Sequence, residues 1–167
     1  MSAKHTFFKT IWIFTILTAQ AQSTWSQRMA ETAMYLWPAG QPRNWNYEQG
    51  VVMTAIQKVY EETGHTPYLQ YIQRKVDYFV SNTGRISTYN LAEYNLDHIA
   101  SGRALLFLHQ QTSMSKYKLA AEHLRSQLLT HPRTASQGFW HKNIYPNQMW
   151  LDGLYMAEPF YAEYSAL

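Results

Sequence analysis

Residues 46–80 read NYEQGVVMTAIQKVYEETGHTPYLQYIQRKVDYFV, and a shift of 49 positions lays them on residues 95–129, NLDHIASGRALLFLHQQTSMSKYKLAAEHLRSQLL. Asn46 then meets Asn95, Glu48 meets Asp97, Ala55 meets Ala104 and Thr63 meets Thr112. Further along, Tyr68 meets Tyr117, Ile72 meets Ala121 and Phe79 meets Leu128. Each copy has the same texture: a helix, a short turn, an aromatic near the next helix start, and a second helix. A two-helix repeat near 50 residues marks stacked α-hairpins, because a single hairpin cannot bury its own apolar face. A third hairpin opens at Asp152, 55 residues after Asp97.

The flanking segments fit an all-α chain. From about Thr24 to Trp37, apolar residues recur at Trp25, Met29, Ala33 and Leu36, and Pro38, Gly40 and Pro42 end that helix. A second helix follows Asn46 with Tyr47, Val51, Ala55 and Val59, and stops at Gly64. The third has Thr66 as its cap, Pro67 as its first residue, and a stripe of Leu69, Ile72, Val76, Phe79 and Val80, and Gly84 ends it. A fourth helix is predicted from about Leu96 to Gln111, and a fifth after Ser115. A loop then runs from His131 to Gln148, and a sixth helix begins near Trp150, with Pro159 expected to kink or end it. No stretch alternates with period two for long enough to argue a strand.

Composition bounds the function. At 46% hydrophobic and 15% charged residues, the 167-residue chain is globular in character. The formal charge of +3 includes Lys4 and Lys9, which fall in a segment that reads as an export signal. That segment has a basic start, an apolar run from Thr10 to Ala19, and Ala19-Gln20-Ala21 as a small-x-small cleavage site before Gln22. The run is short for a membrane span. Residues 1–21 are therefore expected to be removed, and residues 22–167 to form the domain, with no membrane association afterwards. The chain has no Cys, which excludes disulfides and thiol catalysis and suits a bacterial periplasm. With no Lys/Arg cluster, phosphate loop or Cys/His metal spacing, no nucleic acid, metal or other cofactor is expected.

The chemistry concentrates in Gly138–Phe160, GFWHKNIYPNQMWLDGLYMAEPF. It sets Asp152 among Phe139, Trp140, Tyr145, Trp150 and Tyr155, just after the basic pair His141 and Lys142. Aromatic faces stack on a pyranose ring, basic groups hold a carboxylate, and an acid moves a proton, so this mixture suits a sugar acid. Glu48, Asp97 and Asp152 each fall in the first turn of a hairpin's opening helix, which would gather them on one rim. First-turn acids also serve as caps, where the helix dipole favours them. For Asp97 and Asp152, the neighbours His98, Trp150 and Tyr155 favour a site. Trp45, Tyr47, Trp140 and Trp150 read equally as core fillers or as sugar-stacking faces. His65, His109, His123 and His131 sit on turns or polar faces and are expected to be solvated.

The segment from His131 to Ala162, with HPRT, GFWHK, YPNQMWLDGLYMA and PFYAEY, closely resembles the unsaturated rhamnogalacturonyl hydrolases of glycoside hydrolase families 105 and 88. WNYEQGVV at 45–52, YNLDHIASGRALL at 94–106 and the run from Lys116 resemble the same family in the same order. The resemblance implies an (α/α)₆ barrel of stacked hairpins, of which residues 22–167 would be about the first half. It also implies removal of the unsaturated uronic acid from the non-reducing end of pectin- or rhamnogalacturonan-derived oligosaccharides, by hydration of the C4=C5 double bond. By motif, Asp152 matches the proton donor that also activates water, and Asp97 the second site acid. Tyr47 and His141 match substrate-contacting positions, beside which Trp45, Trp140, Trp150 and Lys142 are candidate substrate binders. The competing reading is an inactive fragment that serves as a helical-repeat module binding carbohydrate or protein, against which the retained NLDH and WLDG motifs argue.

Overall fold

The computed structural model describes residues 23–41 and 43–167, so the expected export signal lies outside the described residues. Seven helices follow in order: α1 (Trp25–Leu36), α2 (Tyr47–Thr63), α3 (Thr66–Asp77), α4 (Asp97–Ala100), α5 (Gly102–Thr112), α6 (Ser115–Thr130) and α7 (Leu151–Tyr164). A single 3₁₀ turn spans Leu91–Glu93. Among the described residues the only strand-like pairings are two isolated bridges, Val80 with Ile86 and Arg133 with Phe139. The all-α expectation is met, and none of the helices is long and apolar enough to cross a membrane.

The repeat is visible at atomic level. Thr63 and Thr112 each close the first helix of a hairpin by donating the side-chain hydroxyl four residues back, to Val59 O and Leu108 O, both at 2.7 Å. Each hydroxyl then accepts from the backbone two residues on, His65 N at 3.2 Å and Met114 N at 3.3 Å. The next residue is left-handed in both copies, Gly64 at φ 64° and Ser113 at φ 57°, which is how helices turn back on themselves. Tyr68 and Tyr117 follow, both buried. Each hydroxyl reaches an acid on a preceding helix, Glu31 on α1 at 3.5 Å and Asp77 on α3 at 2.8 Å.

The hairpins α2–α3 and α5–α6 pack on one another, and α7 lies across α4 and α5. Their shared core includes Trp45, Met53, Ile72, Ile99, Leu105, Leu108, Tyr117, Leu124 and Phe160. A Cβ at Gly50 would stand 2.8 Å from the Ala100 carbonyl carbon, so α2 and α4 approach backbone to backbone only because residue 50 is glycine.

Four helix boundaries differ from the sequence expectation. Thr66, expected as the cap of α3, is its first residue, and His65 takes the cap position. The predicted fourth helix is two, α4 and α5, broken at Ser101, whose hydroxyl donates to Asn46 O at 2.6 Å. α3 ends at Asp77, and Phe79 and Val80 continue past it into a turn and the Val80–Ile86 bridge. Both are buried there, so their apolar character is explained without helix. Pro159 does not end α7, which continues to Tyr164.

Candidate functional site

The loop between α6 and α7 builds the site, and its backbone is tied at several points. Arg133 and Phe139 bridge, Thr134 N donates to Gly138 O at 2.9 Å, and Trp140 N donates to Pro132 O at 3.0 Å, which makes a small hairpin. His141 follows and is clamped on both sides: its N donates to Gln148 O at 2.8 Å, and its O accepts from Leu96 N at 3.1 Å. The second bond places His141 beside the first residue of α4, which is Asp97. Asp97 N in turn donates to Asn95 Oδ1 at 3.0 Å.

The result is a carboxylate on each side of one imidazole. His141 Nε2 lies 3.4 Å from Asp97 Oδ1, and His141 Nδ1 lies 4.0 Å from Asp152 Oδ1. These are ion-pair separations that have not closed into hydrogen bonds, a common state before substrate arrives. His141 Nδ1 is buried and has no hydrogen-bond partner. Gly153 packs beside it: a Cβ there would stand at ordinary contact, 3.5 Å, from Nδ1 and closer, 3.2 Å, to Leu96 Cδ1. Burial holds His141 below the usual imidazole range, the carboxylates of Asp97 and Asp152 pull it upward, and the Lys142 ammonium pushes it down. Asp97 is nearly enclosed, and Lys142 Nζ lies 2.7 Å from its Oδ2. Asp152 is half exposed and open to a ligand. Neither acid is the N-cap residue of its helix: Leu96 and Trp150 hold those positions, and Asp97 and Asp152 lie in the first turns.

Asp97, His141 and Asp152 also have the donor set of a cation site, their atoms all within 4.8 Å of one another. The Lys142 ammonium, though, already neutralises Asp97. The residues present therefore fit proton chemistry better than a resident metal.

The aromatics divide. Trp150 is 40% exposed and stacks on His141 with centroids 4.2 Å apart and planes 8° apart. Tyr145 stacks on Trp150 at 5.0 Å. Trp140 is partly buried within the loop. Trp45 is corrected from a candidate sugar platform to core: it has no exposed surface, its ring meets Phe79 edge-on, and its Nε1 donates to His98 O at 2.8 Å. Tyr47 and Glu48 line a depression of about 540 Å³ with Trp37, Val51 and the buried Lys75. Of the three first-turn acids, Asp97 and Asp152 share His141, and Asp152 is not enclosed by the aromatics around it.

Sequence reasoning missed the groups behind the site. His131, expected in solvent, is 4% exposed. Burial pushes it down to about 4. Gln127 is fully buried beside it. The signal was available, since His131 follows the apolar stripe of α6 at the turn into HPRT, but periodicity alone does not show what folds over a helix end.

Comparison with known families matches residues 19–167 to Glycosyl Hydrolase Family 88. Among solved structures, the chain is similar to a glycoside hydrolase from family 105 of C. acetobutylicum ATCC 824, with 43% sequence identity and a TM-score of 0.80. That likeness covers 85% of this chain and 39% of the other, so the chain spans about two fifths of that relative's length. The chain belongs to Glycosyl Hydrolase Family 88, and its stacked hairpins form part of the helical toroid that this family shares with family 105.

Proposed function

We propose that the protein carrying this chain is a glycosidase that removes an unsaturated uronic acid from the non-reducing end of pectin- or rhamnogalacturonan-derived oligosaccharides. The observation that carries this reading is the pair of carboxylates, Asp97 and Asp152, on the two nitrogens of one buried imidazole. Such a pair suits proton transfer at an exposed acid, and Asp152 is the exposed member. Asp152 donates its proton to C4 of the double bond. Water adds at C5, and the proton it loses returns to the Asp152 carboxylate. The resulting hemiketal opens at the bond from C5 to the ring oxygen, leaving a ketone at C5 and a hemiacetal at C1, which then expels the next sugar as an alcohol.

The other groups have supporting roles. Asp97, held by Lys142, fixes His141 from one side. His141, kept neutral by burial, faces Asp152 with the other nitrogen and can accept a proton there. With 1% of its side chain exposed, His141 is out of reach of a substrate carboxylate, a task that falls to the partly exposed Lys142. Trp150 keeps enough exposed surface to meet a ring.

The test is turnover of an unsaturated uronyl disaccharide, followed by loss of its ultraviolet absorbance. Asp152→Asn is expected to abolish turnover and leave binding largely intact, while Asp97→Asn lowers the rate less. Wild-type rate in Asp152→Asn would refute the assignment, and an equal or larger loss in Asp97→Asn would exchange the two roles.

A further inference from the structure

Behind the acids lies a polar chain that the proposed chemistry does not use. His131 is the residue that caps α6, and its Nε2 lies 2.8 Å from Trp140 O. A carbonyl only accepts, so Nε2 carries the proton, and in the neutral ring Nδ1 is an acceptor. Gln127 Nε2 lies 3.4 Å from that Nδ1 and donates to it. The second proton on Gln127 Nε2 goes to Asn95 O at 3.1 Å. Gln127 Oε1 accepts from the Tyr89 hydroxyl at 3.0 Å. Every donor in the chain meets an acceptor, and its direction is fixed from Tyr89 to Trp140. Gln127 is fully buried and His131 nearly so, which makes each bond expensive to leave unmade.

The branch to Asn95 and the end at Trp140 are the two arms of the site. Asn95 presents its side-chain oxygen to Asp97 N, and Trp140 is followed by His141, whose carbonyl holds Leu96 N. We infer that Gln127 and His131 are positioning residues, joining the Asn95–Asp97 turn to the Trp140–Lys142 loop through one buried hydrogen-bond chain anchored on α6, and so setting the place of His141 between the acids. The inference rests on Asp97 and Asp152 as the working acids. It differs from a packing role, because what matters at position 131 is one donor and one acceptor in the right places, not an imidazole's volume.

His131→Gln offers a donor for Trp140 O and an acceptor for Gln127. His131→Leu offers neither at similar size. On the unsaturated disaccharide, His131→Gln is expected to keep kcat within about threefold of wild type. His131→Leu is expected to lose roughly ten- to hundredfold in kcat with little change in KM, the scale of a misplaced acid. Tyr89→Phe, which removes one hydroxyl from the far end, should show a smaller kcat loss, and it decides the matter if the leucine variant does not fold. Amide resonances of Asp97 and His141 provide a readout independent of turnover. They should move in His131→Leu and stay near wild-type positions in His131→Gln. If the wild type does not consume the disaccharide, the proposed reaction fails and the resonances alone decide this inference. Equal losses in His131→Gln and His131→Leu, or unmoved Asp97 and His141 amides in the leucine variant, would overturn it. So would unchanged kcat in Tyr89→Phe where the leucine variant is unfolded.

Discussion

Lowering the pH from 7.5 to 5 is expected to remove about 2 kcal/mol of folding stability at His131 alone. Burial pushes His131 down to about 4 in the folded protein, whereas an unfolded histidine titrates near 6.5. Between those values the unfolded chain binds more protons than the folded one, so stability rises with pH and falls on acidification. The loss begins as pH drops through about 6.5, and by pH 5 the unfolded chain carries nearly one proton that folded His131 does not. Integrated over that window, the difference is ~2 kcal/mol, and it saturates at about 3.4 kcal/mol well below pH 4. His98 and His141 are also lowered by burial and add loss of the same sign, so the total slope exceeds the share of His131. Denaturant unfolding at pH 7.5 and pH 5, followed by tryptophan fluorescence, isolates that share when wild type is compared with His131→Gln. The variant should lose ~2 kcal/mol less than wild type across the interval. Equal losses in the two proteins, within about 0.5 kcal/mol, would refute the placement of a neutral histidine at this position.

Three further outcomes are expected. Phe160, with no exposed surface, sits in a notch where a Cβ on Gly102 would come within 2.7 Å of its ring. Phe160→Ala should therefore cost about 3–5 kcal/mol by denaturant unfolding, and a cost under about 1 kcal/mol would show that α7 is not anchored there. Lys142→Met leaves the Asp97 carboxylate, 8% exposed, without its 2.7 Å partner. The expected loss is about 2–3 kcal/mol, at the low end for a cut charge pair because Lys142 is itself partly exposed, and Lys142→Arg should restore most of it. We propose that residues 1–21 are removed on export, so mass spectrometry of protein from its native host should find Gln22 first, and an intact Met1 would sink the idea.

The hairpins were legible because what makes them is local. The 49-residue shift aligns residues whose hydrogen bonds are the same in both copies, Thr63 with Thr112 and Tyr68 with Tyr117. What stayed hidden depends on contacts far apart in sequence. The break at Ser101 comes from a bond to Asn46, 55 residues away, and from the close passage of Gly50. Trp45 read equally as core filler or sugar-stacking face, and it is held in the core through His98. Phe79 and Val80 extend the helical apolar pattern past Asp77, and since they are buried in turn and bridge as well, hydrophobicity could not mark where α3 stops. Lys142 was legible as a cation near the acids, but its partner is Asp97, at the start of a different helix.

The two acids that the repeat makes equivalent show what turns a helix start into a site. Glu48 and Asp97 both lie in the first turn of a helix, α2 and α4, and Asn46 and Asn95 precede them at the same spacing. Glu48 opens the 17-residue α2 and Asp97 the four-residue α4, and the repeat alone cannot explain why one is exposed and the other is paired and nearly enclosed. The difference is what lies over each start. The loop after α6 lays His141 against Leu96 and brings Lys142 to Asp97. Glu48 instead borders a depression beside Tyr47 and Val51. The chemistry therefore belongs to the loop from His131 to Trp150 as much as to the helices it joins. That loop holds its shape through a few backbone bonds and a buried glutamine and histidine beneath it. Substitutions in that support should thus alter the site more than substitutions at Glu48, the helix-start acid that sequence symmetry places on the same footing as Asp97.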